Sequence, residues 1–151
     1  MTVKKKTMNK ETDNFEPRIV GFLCKWCPSS AVDVAGTSKI PYPANIRIIK
    51  LMCAGSLDPT YVLRALQEGA DGVLVAGCPS GNCHYVSGDT KAKRGTDTLM
   101  TILESWGLEE QRVRVESIGA DDGAKFASVV TELTRDVRKL GPNPMSKNWS
   151  F

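Results

Sequence analysis

Five cysteines carry the chemistry open to this sequence: Cys24 and Cys27 spaced C-x2-C, a lone Cys53, and Cys78 and Cys83 spaced C-x4-C. Two thiolates two to four residues apart can chelate one metal from a single loop, and two such loops complete a tetrahedral or binuclear set. Gly77, Pro79 and Gly81 in GCPSGNC let the backbone wrap tightly, so that its N–H groups can hydrogen-bond sulfur. A disulfide framework is disfavoured, because the count is odd and a chain of 151 residues buries a core without staples.

Each cysteine also has a bland reading as a small buried hydrophobe, and for Cys53 alone that reading is equally open. Cys24 and Cys27 follow a strand and open a helix, as a thioredoxin-like redox pair would, but such a pair leaves three further cysteines unexplained. Structural zinc is the nearest rival, since thiolates alone do not separate zinc from iron–sulfur. His84 is the only histidine. A Rieske centre needs two, so that type is excluded for this chain by itself, and His84 reads as a hydrogen-bond donor or loop residue rather than a ligand. Trp26 and Tyr85 flank the cysteines and either shield the site or simply pack. Asp33, Asp58 and Asp89 read as caps or surface residues.

The elements that must position these thiols are legible as apolar runs alternating with helical patterns. Arg18 to Leu23, Ile46 to Met52 and Gly72 to Gly77 read as strands, each followed directly by Cys24, Cys53 or Cys78. Arg112 to Ile118 alternates like an edge strand. Asp58-Pro59 opens a helix that Gly69 can close; a later helix covers about Thr96 to Trp106, and another about Asp121 to Leu140, stopped by Gly141-Pro142. A short helix after Cys27, capped by Ser29 or Ser30, ends near Gly36. Four strand–helix alternations predict a small α/β domain, a parallel four-stranded sheet with flanking helices of flavodoxin-like or Rossmann-like type. In such a sheet the carboxyl ends of the strands line one edge, where ligands bind, and strands about 4.8 Å apart bring Cys24, Cys53 and Cys78 together there. The loops put Cys27 and Cys83 beside them.

Domain limits follow: residues 1–16 a flexible lysine-bearing tail, 17–141 the α/β domain, and 142–151 a second tail whose Trp149 and Phe151 are apolar enough to dock. A net charge of +3 gives no case for nucleic acid. No apolar run approaches the roughly 20 residues of a membrane span, and no signal segment follows the N-terminal lysines, so a cytoplasmic location is expected. Neither G-x-G-x-x-G nor a P-loop is present, and no Ser-His-Asp or Cys-His-Asn set is evident.

Three segments together, FLCKWCPSSAVDVAG at 22–36, YPANIRIIKLMCAGSLDP at 42–59 and GADGVLVAGCPSGNCHY at 69–85, resemble the delta subunit family of methyl-viologen-reducing (F420-non-reducing) hydrogenase, as does RVRVESIGADDGAKFASVV. The resemblance covers about residues 18–141. It implies a non-catalytic electron-transfer subunit with one [2Fe–2S] cluster, held by four of Cys24, Cys27, Cys53, Cys78 and Cys83, all of which fall on family cysteine positions. Cys24 and Cys78 are the firmest ligands, and the fifth thiol stands beside the cluster. The implied partners are a hydrogenase or formate dehydrogenase subunit that delivers electrons, and the flavin-containing subunit of heterodisulfide reductase that receives them for flavin-based bifurcation in methanogenesis. The family has His-Pro-Gly-Asp between its last two cysteines, where this chain has Pro79-Ser80-Gly81-Asn82, which removes one potential ligand and one charge. Two other classes stay open: a thiol-redox or sulfur-carrier enzyme using Cys24 or Cys83, and a structural zinc interaction module.

Overall fold

The computed structural model describes residues 15–83, 85 and 87–147. The readings made for His84, Trp149, Phe151 and residues 1–14 lie outside these. Four strands, β1 (Ile19–Cys24), β2 (Ile46–Leu51), β3 (Gly72–Gly77) and β4 (Val113–Ser117), form one parallel sheet in the order β2-β1-β3-β4. The expected α/β architecture is therefore present, with β4 on an edge as its alternating sequence suggested. β3 is buried along its whole length, which is why GVLVAG carries no polar residue.

Helices α1 (Cys27–Thr37) and α4 (Gly123–Leu140) cover one face, packing Ala31, Ala35, Phe126, Val130 and Leu133 on Ile19, Leu23, Leu74 and Ala76. Helices α2 (Pro59–Gln67) and α3 (Gly88–Ser105) cover the other, packing Val62, Leu66, Leu99 and Leu103 on Phe22, Val73 and Val75. Among the described residues no helix is long and apolar enough to cross a membrane.

Three local expectations are corrected. Neither Ser29 nor Ser30 caps α1: Trp26 takes the N-cap position without a side-chain bond, while the Ser29 hydroxyl donates to the Cys24 carbonyl at 2.8 Å. Helix α3 starts at Gly88, eight residues before Thr96, because Ala92 and Thr96 continue its buried face through a charged segment. The chain beyond Pro142 does not simply trail away, since Asn143 is fully buried and a short helix α5 (Pro144–Lys147) follows it.

That last feature belongs to a polar lock at the amino ends of the strands. Arg112, which ends a 3-10 turn rather than starting β4, is fully buried and donates to the Asp71 and Gly141 carbonyls at 3.0 Å and to Glu109 at 2.8 Å. The Asp71 carboxylate accepts from the Arg18 and Asn143 backbone N–H groups, both at 2.9 Å, and the Asn143 amide donates to Leu66 and Ala70 carbonyls. Apart from the Glu109 carboxylate the partners are backbone groups or buried side chains, so the lock ties β1, β3, α2 and the C-terminal segment at one end of the sheet.

Candidate functional site

The opposite end of the sheet belongs to sulfur. Cys24 is the last residue of β1 and Cys78 immediately follows β3; they are 1% and 2% exposed. β1 and β3 are neighbours, and the chain leaves β1 for β2 on one side and returns to β3 on the other. The crevice between them is the topological switch point of the sheet, where open α/β domains bind their ligands. There the Cys24 and Cys78 Sγ atoms are 3.7 Å apart.

A second pair forms beside the first. Cys53 follows β2 at the start of a 3-10 turn (Ala54–Ser56), accepts a hydrogen bond from Gly55 N–H at 3.4 Å, and lies 3.8 Å from Cys83 Sγ to Sγ. Cys83 sits in the β3–α3 loop, where Gly81 takes φ +83° to let the chain turn back. Cys27, the first residue of α1, is half-buried and lies in the field of both Cys78 and Cys83. The five thiols therefore share one edge, as the strand-end argument required.

Their acidities report the same crowding. Burial raises Cys24 to about 11 against a normal 9.0, and Cys78 adds to the rise through a hydrogen bond and charge repulsion. Burial likewise raises Cys27 and Cys53, with Cys78 and Cys83 respectively contributing. At Cys83 burial is outweighed by the backbone N–H groups of Tyr85, Gly88 and Asp89, and the thiol is lowered. Thiols that repel one another as anions are thiols that a cation would bind.

Among the described residues, no group of three or more His, Cys, Asp or Glu side chains closes around a single ion position. Two thiolates on one tetrahedral ion, with metal–sulfur bonds of about 2.3 Å, stand about 3.8 Å apart. Each contacting pair meets that spacing, at 3.7 and 3.8 Å. Free thiols in contact stand equally close, so the distance alone assigns no ion; the four thiols, from three strand ends and one loop, stand as two pairs.

A family model described as methyl-viologen-reducing hydrogenase, delta subunit, matches residues 19–141. The chain belongs to this family. It is 40% identical over 136 residues to the vhc iron-sulfur subunit of an F420-non-reducing hydrogenase from Methanococcus voltae, covering 90% of this chain and 94% of that one. The corresponding iron-sulfur subunit from Archaeoglobus profundus is 42% identical over 131 residues, covering 87% and 96%. One subunit of a ferredoxin:CoB-CoM heterodisulfide reductase from Methanosarcina mazei is 44% identical over 126 residues, which is 83% of this chain but 16% of the reductase polypeptide.

Two site residues escaped the sequence reading of this family member. A Cβ on Gly88 would lie 2.0 Å from Cys53 Sγ and 3.0 Å from Cys83 Sγ, and one on Gly55 would lie 2.6 Å from the Gly88 Cα. The two glycine backbones thus meet beneath the second thiol pair, letting the N-terminus of α3 aim its N–H groups at sulfur. Around the edge, Trp26, Met52 and Tyr85 are exposed, and the Lys25 ammonium lies 5.6 Å from the Trp26 ring centroid. Asp58 caps α2 by accepting from Thr60 N–H at 2.9 Å, and stands away from this chemistry as expected.

Proposed function

We propose that this chain is an electron-transfer subunit of a hydrogenase–heterodisulfide reductase assembly, with one [2Fe–2S] cluster held by Cys24 and Cys78 on one side and Cys53 and Cys83 on the other. The observation that carries the reading is the grouping of four thiols, from three strand ends and one loop, into two contacting pairs at the switch point of the sheet. When bound, such a group supplies reversible one-electron chemistry. The chain's own residues hold and tune it. Gly55 N–H points at Cys53 sulfur, and Tyr85, Gly88 and Asp89 N–H groups point at Cys83, a donor set that favours the thiolate form.

The sequence carries no substrate or nucleotide motif, and in this reading electrons enter and leave through docked proteins. The reading takes a hydrogenase or formate dehydrogenase module as donor and the flavin-containing subunit of heterodisulfide reductase as acceptor, the latter in a bifurcating complex. The match inside a longer heterodisulfide reductase polypeptide supports that pairing, because a segment similar to this chain is continuous with the reductase there. Exposed Trp26, Met52 and Tyr85 around the thiol edge form the docking rim. Iron and acid-labile sulfide analysis of anaerobically purified protein tests the cluster: about two of each per chain is the expected result. Stoichiometric zinc without sulfide refutes it. Purification from native extract tests the partners, and elution as a free monomer without a flavin-bearing companion refutes that half.

A further inference from the structure

The two thiol pairs differ in a way that electron transfer does not require. Cys24 and Cys78 are both sealed from solvent, and Cys24 is fixed in the strand ladder, paired across to Leu51 of β2. Cys53 and Cys83 both stand outside the strands, one at the head of a three-residue 3-10 turn and the other in a loop. Cys83 is solvent-reachable while Cys53 is nearly buried beneath it. Of the two contacting pairs, only this one joins a thiol that a small oxidant can reach to a second thiol already in contact with it, at 3.8 Å.

We propose that Cys53 and Cys83 form a reversible oxidative lock: when the site is emptied in the presence of a peroxide, this pair closes as a disulfide and keeps the remaining thiols reduced. The chemistry balances with hydrogen peroxide as oxidant. The Cys83 sulfur attacks one peroxide oxygen, an S–O bond forms, the O–O bond breaks, and hydroxide leaves to become water, giving a sulfenic acid. The Cys53 sulfur then attacks Cys83 sulfur, the S–S bond forms, the S–O bond breaks, and a second water leaves. Two thiols are oxidised and one peroxide is reduced to two waters.

Closing the pair from 3.8 Å to a bond of about 2.04 Å asks for roughly 1.8 Å of approach. The loop that carries Cys83 can supply it, since its turn is built from Gly81 and is exposed at Gly81 and Asn82. The Cys24–Cys78 pair would need a strand end to move. The disulfide joins the β2 end to the β3–α3 loop, so it staples the edge shut without disturbing the sheet. Reduction by a dithiol restores both sulfurs and with them the site.

The inference concerns the emptied site and stands whichever metal group fills it. The test uses the full chain, stripped anaerobically with chelator and dithiol, desalted, and treated with one equivalent of hydrogen peroxide. Free thiols are then alkylated and the digest mapped by mass spectrometry. A dominant Cys53–Cys83 linked peptide, with Cys24, Cys27 and Cys78 alkylated, is expected. Cys83→Ser is expected to abolish the linkage without shifting it to Cys24–Cys78, and dithiol treatment to return most of the thiols. A dominant Cys24–Cys78 or Cys27–Cys78 linkage, chiefly intermolecular dimers, or over-oxidised monomer with no disulfide would each overturn the lock. Iron and sulfide contents are not read in this experiment, so its failure leaves the cluster assignment standing, and failure of that assignment leaves the lock open to the same test.

Discussion

Replacing Gly88 by alanine puts one methyl group where sulfur already is. The new carbon would lie 2.0 Å from Cys53 Sγ and 3.0 Å from Cys83 Sγ, against ordinary non-bonded contacts of about 3.5–4.0 Å. Something must therefore move by about 1.5 Å or more. The Gly88 backbone cannot retreat, because Gly55 N would lie 3.3 Å from the same carbon and the two glycine backbones are already in contact. The cheapest relief is rotation of Cys53, which breaks its contact with Cys83 and its bond from Gly55 N–H. Overpacking of this kind costs about 1–3 kcal/mol. At about 2–4 °C per kcal/mol for a chain of this size, that lowers Tm by roughly 2–12 °C. Loss of the second thiol pair should cut bound iron to less than half of the parent value. The control is Gly36→Ala: Gly36 lies in α1 and its added carbon meets nothing within 4 Å, so Tm should hold or rise. Iron assay and calorimetry on both variants, purified anaerobically, decide the matter. Full iron with unchanged Tm in Gly88→Ala would refute the packing argument and with it the role given to the Cys53–Cys83 pair.

Cys24→Ser and Cys78→Ser should each lose the cluster, whereas Cys27→Ser, outside both contacting pairs, should keep about two irons per chain with a shifted potential; full iron in all five single variants would contradict the converging edge. In the metal-free chain near pH 8, timed alkylation with mass mapping should find Cys83 modified first and Cys24 last, because the pKa of Cys83 is lowered and that of Cys24 raised. Because Cys24 is raised above its normal 9.0, its share of metal-free stability is present below pH 9 and lost as pH climbs through about 11, which denaturant midpoints across that range should register. Arg112→Met should destabilise by about 3–5 kcal/mol, since it leaves Asp71, Gly141 and Pro142 carbonyls without their buried donor. Burial tends to raise Glu109, but the Arg112 guanidinium outweighs it and holds the carboxyl low, so this contribution is present at neutral pH and lost on acidification below the usual carboxylate range; Glu109→Gln should flatten that acid limb in unfolding titrations.

Much of the site was legible because β-strands announce themselves as apolar runs and three of those runs end at cysteine. What the runs do not encode is strand order. β1 proves to be flanked by both β2 and β3, and Cys24 meets Cys78, which follows β3 directly, rather than Cys53, which stands two residues beyond the end of β2. Gly88 was invisible for a related reason: in SGDT it reads as a loop residue, and its necessity comes from two sulfurs contributed by other segments. The first half of α3 was missed because Lys91, Lys93 and Arg94 sit where a helix dipole favours acids, and Gly95 lowers local propensity; packing of Ala92 and Thr96 overrides both. Arg112 reads from sequence as the first residue of a strand and Asn143 as part of a tail. Their burial depends on carbonyls from three other elements, a nonlocal fact.

The two ends of the sheet are built on opposite principles, and the contrast bears on how thiols that repel one another are held in place. At the amino ends every buried polar group has a fixed partner: Arg112 has its carbonyls, Asp71 its two N–H donors, and Asn143 two carbonyls besides its own bond to Met145. Such a closed network resists displacement because any movement strands several buried groups at once. At the carboxyl ends burial and the neighbouring thiols push Cys24, Cys27 and Cys53 up from their normal pKa, so their thiolate forms lack a partner that a cation would supply. A sheet locked at one end transmits that rigidity along its ladders to strand ends only six residues away. On the proposed reading Cys24 and Cys78 would thereby be positioned before the cluster assembles, while Cys53 and Cys83, carried on a turn and a loop, would adjust to it. Weakening the lock should therefore loosen the site from a distance: a substitution at Asn143 should slow metal uptake in reconstitution more than it lowers the final iron content, and equal loss of rate and capacity would argue against the division.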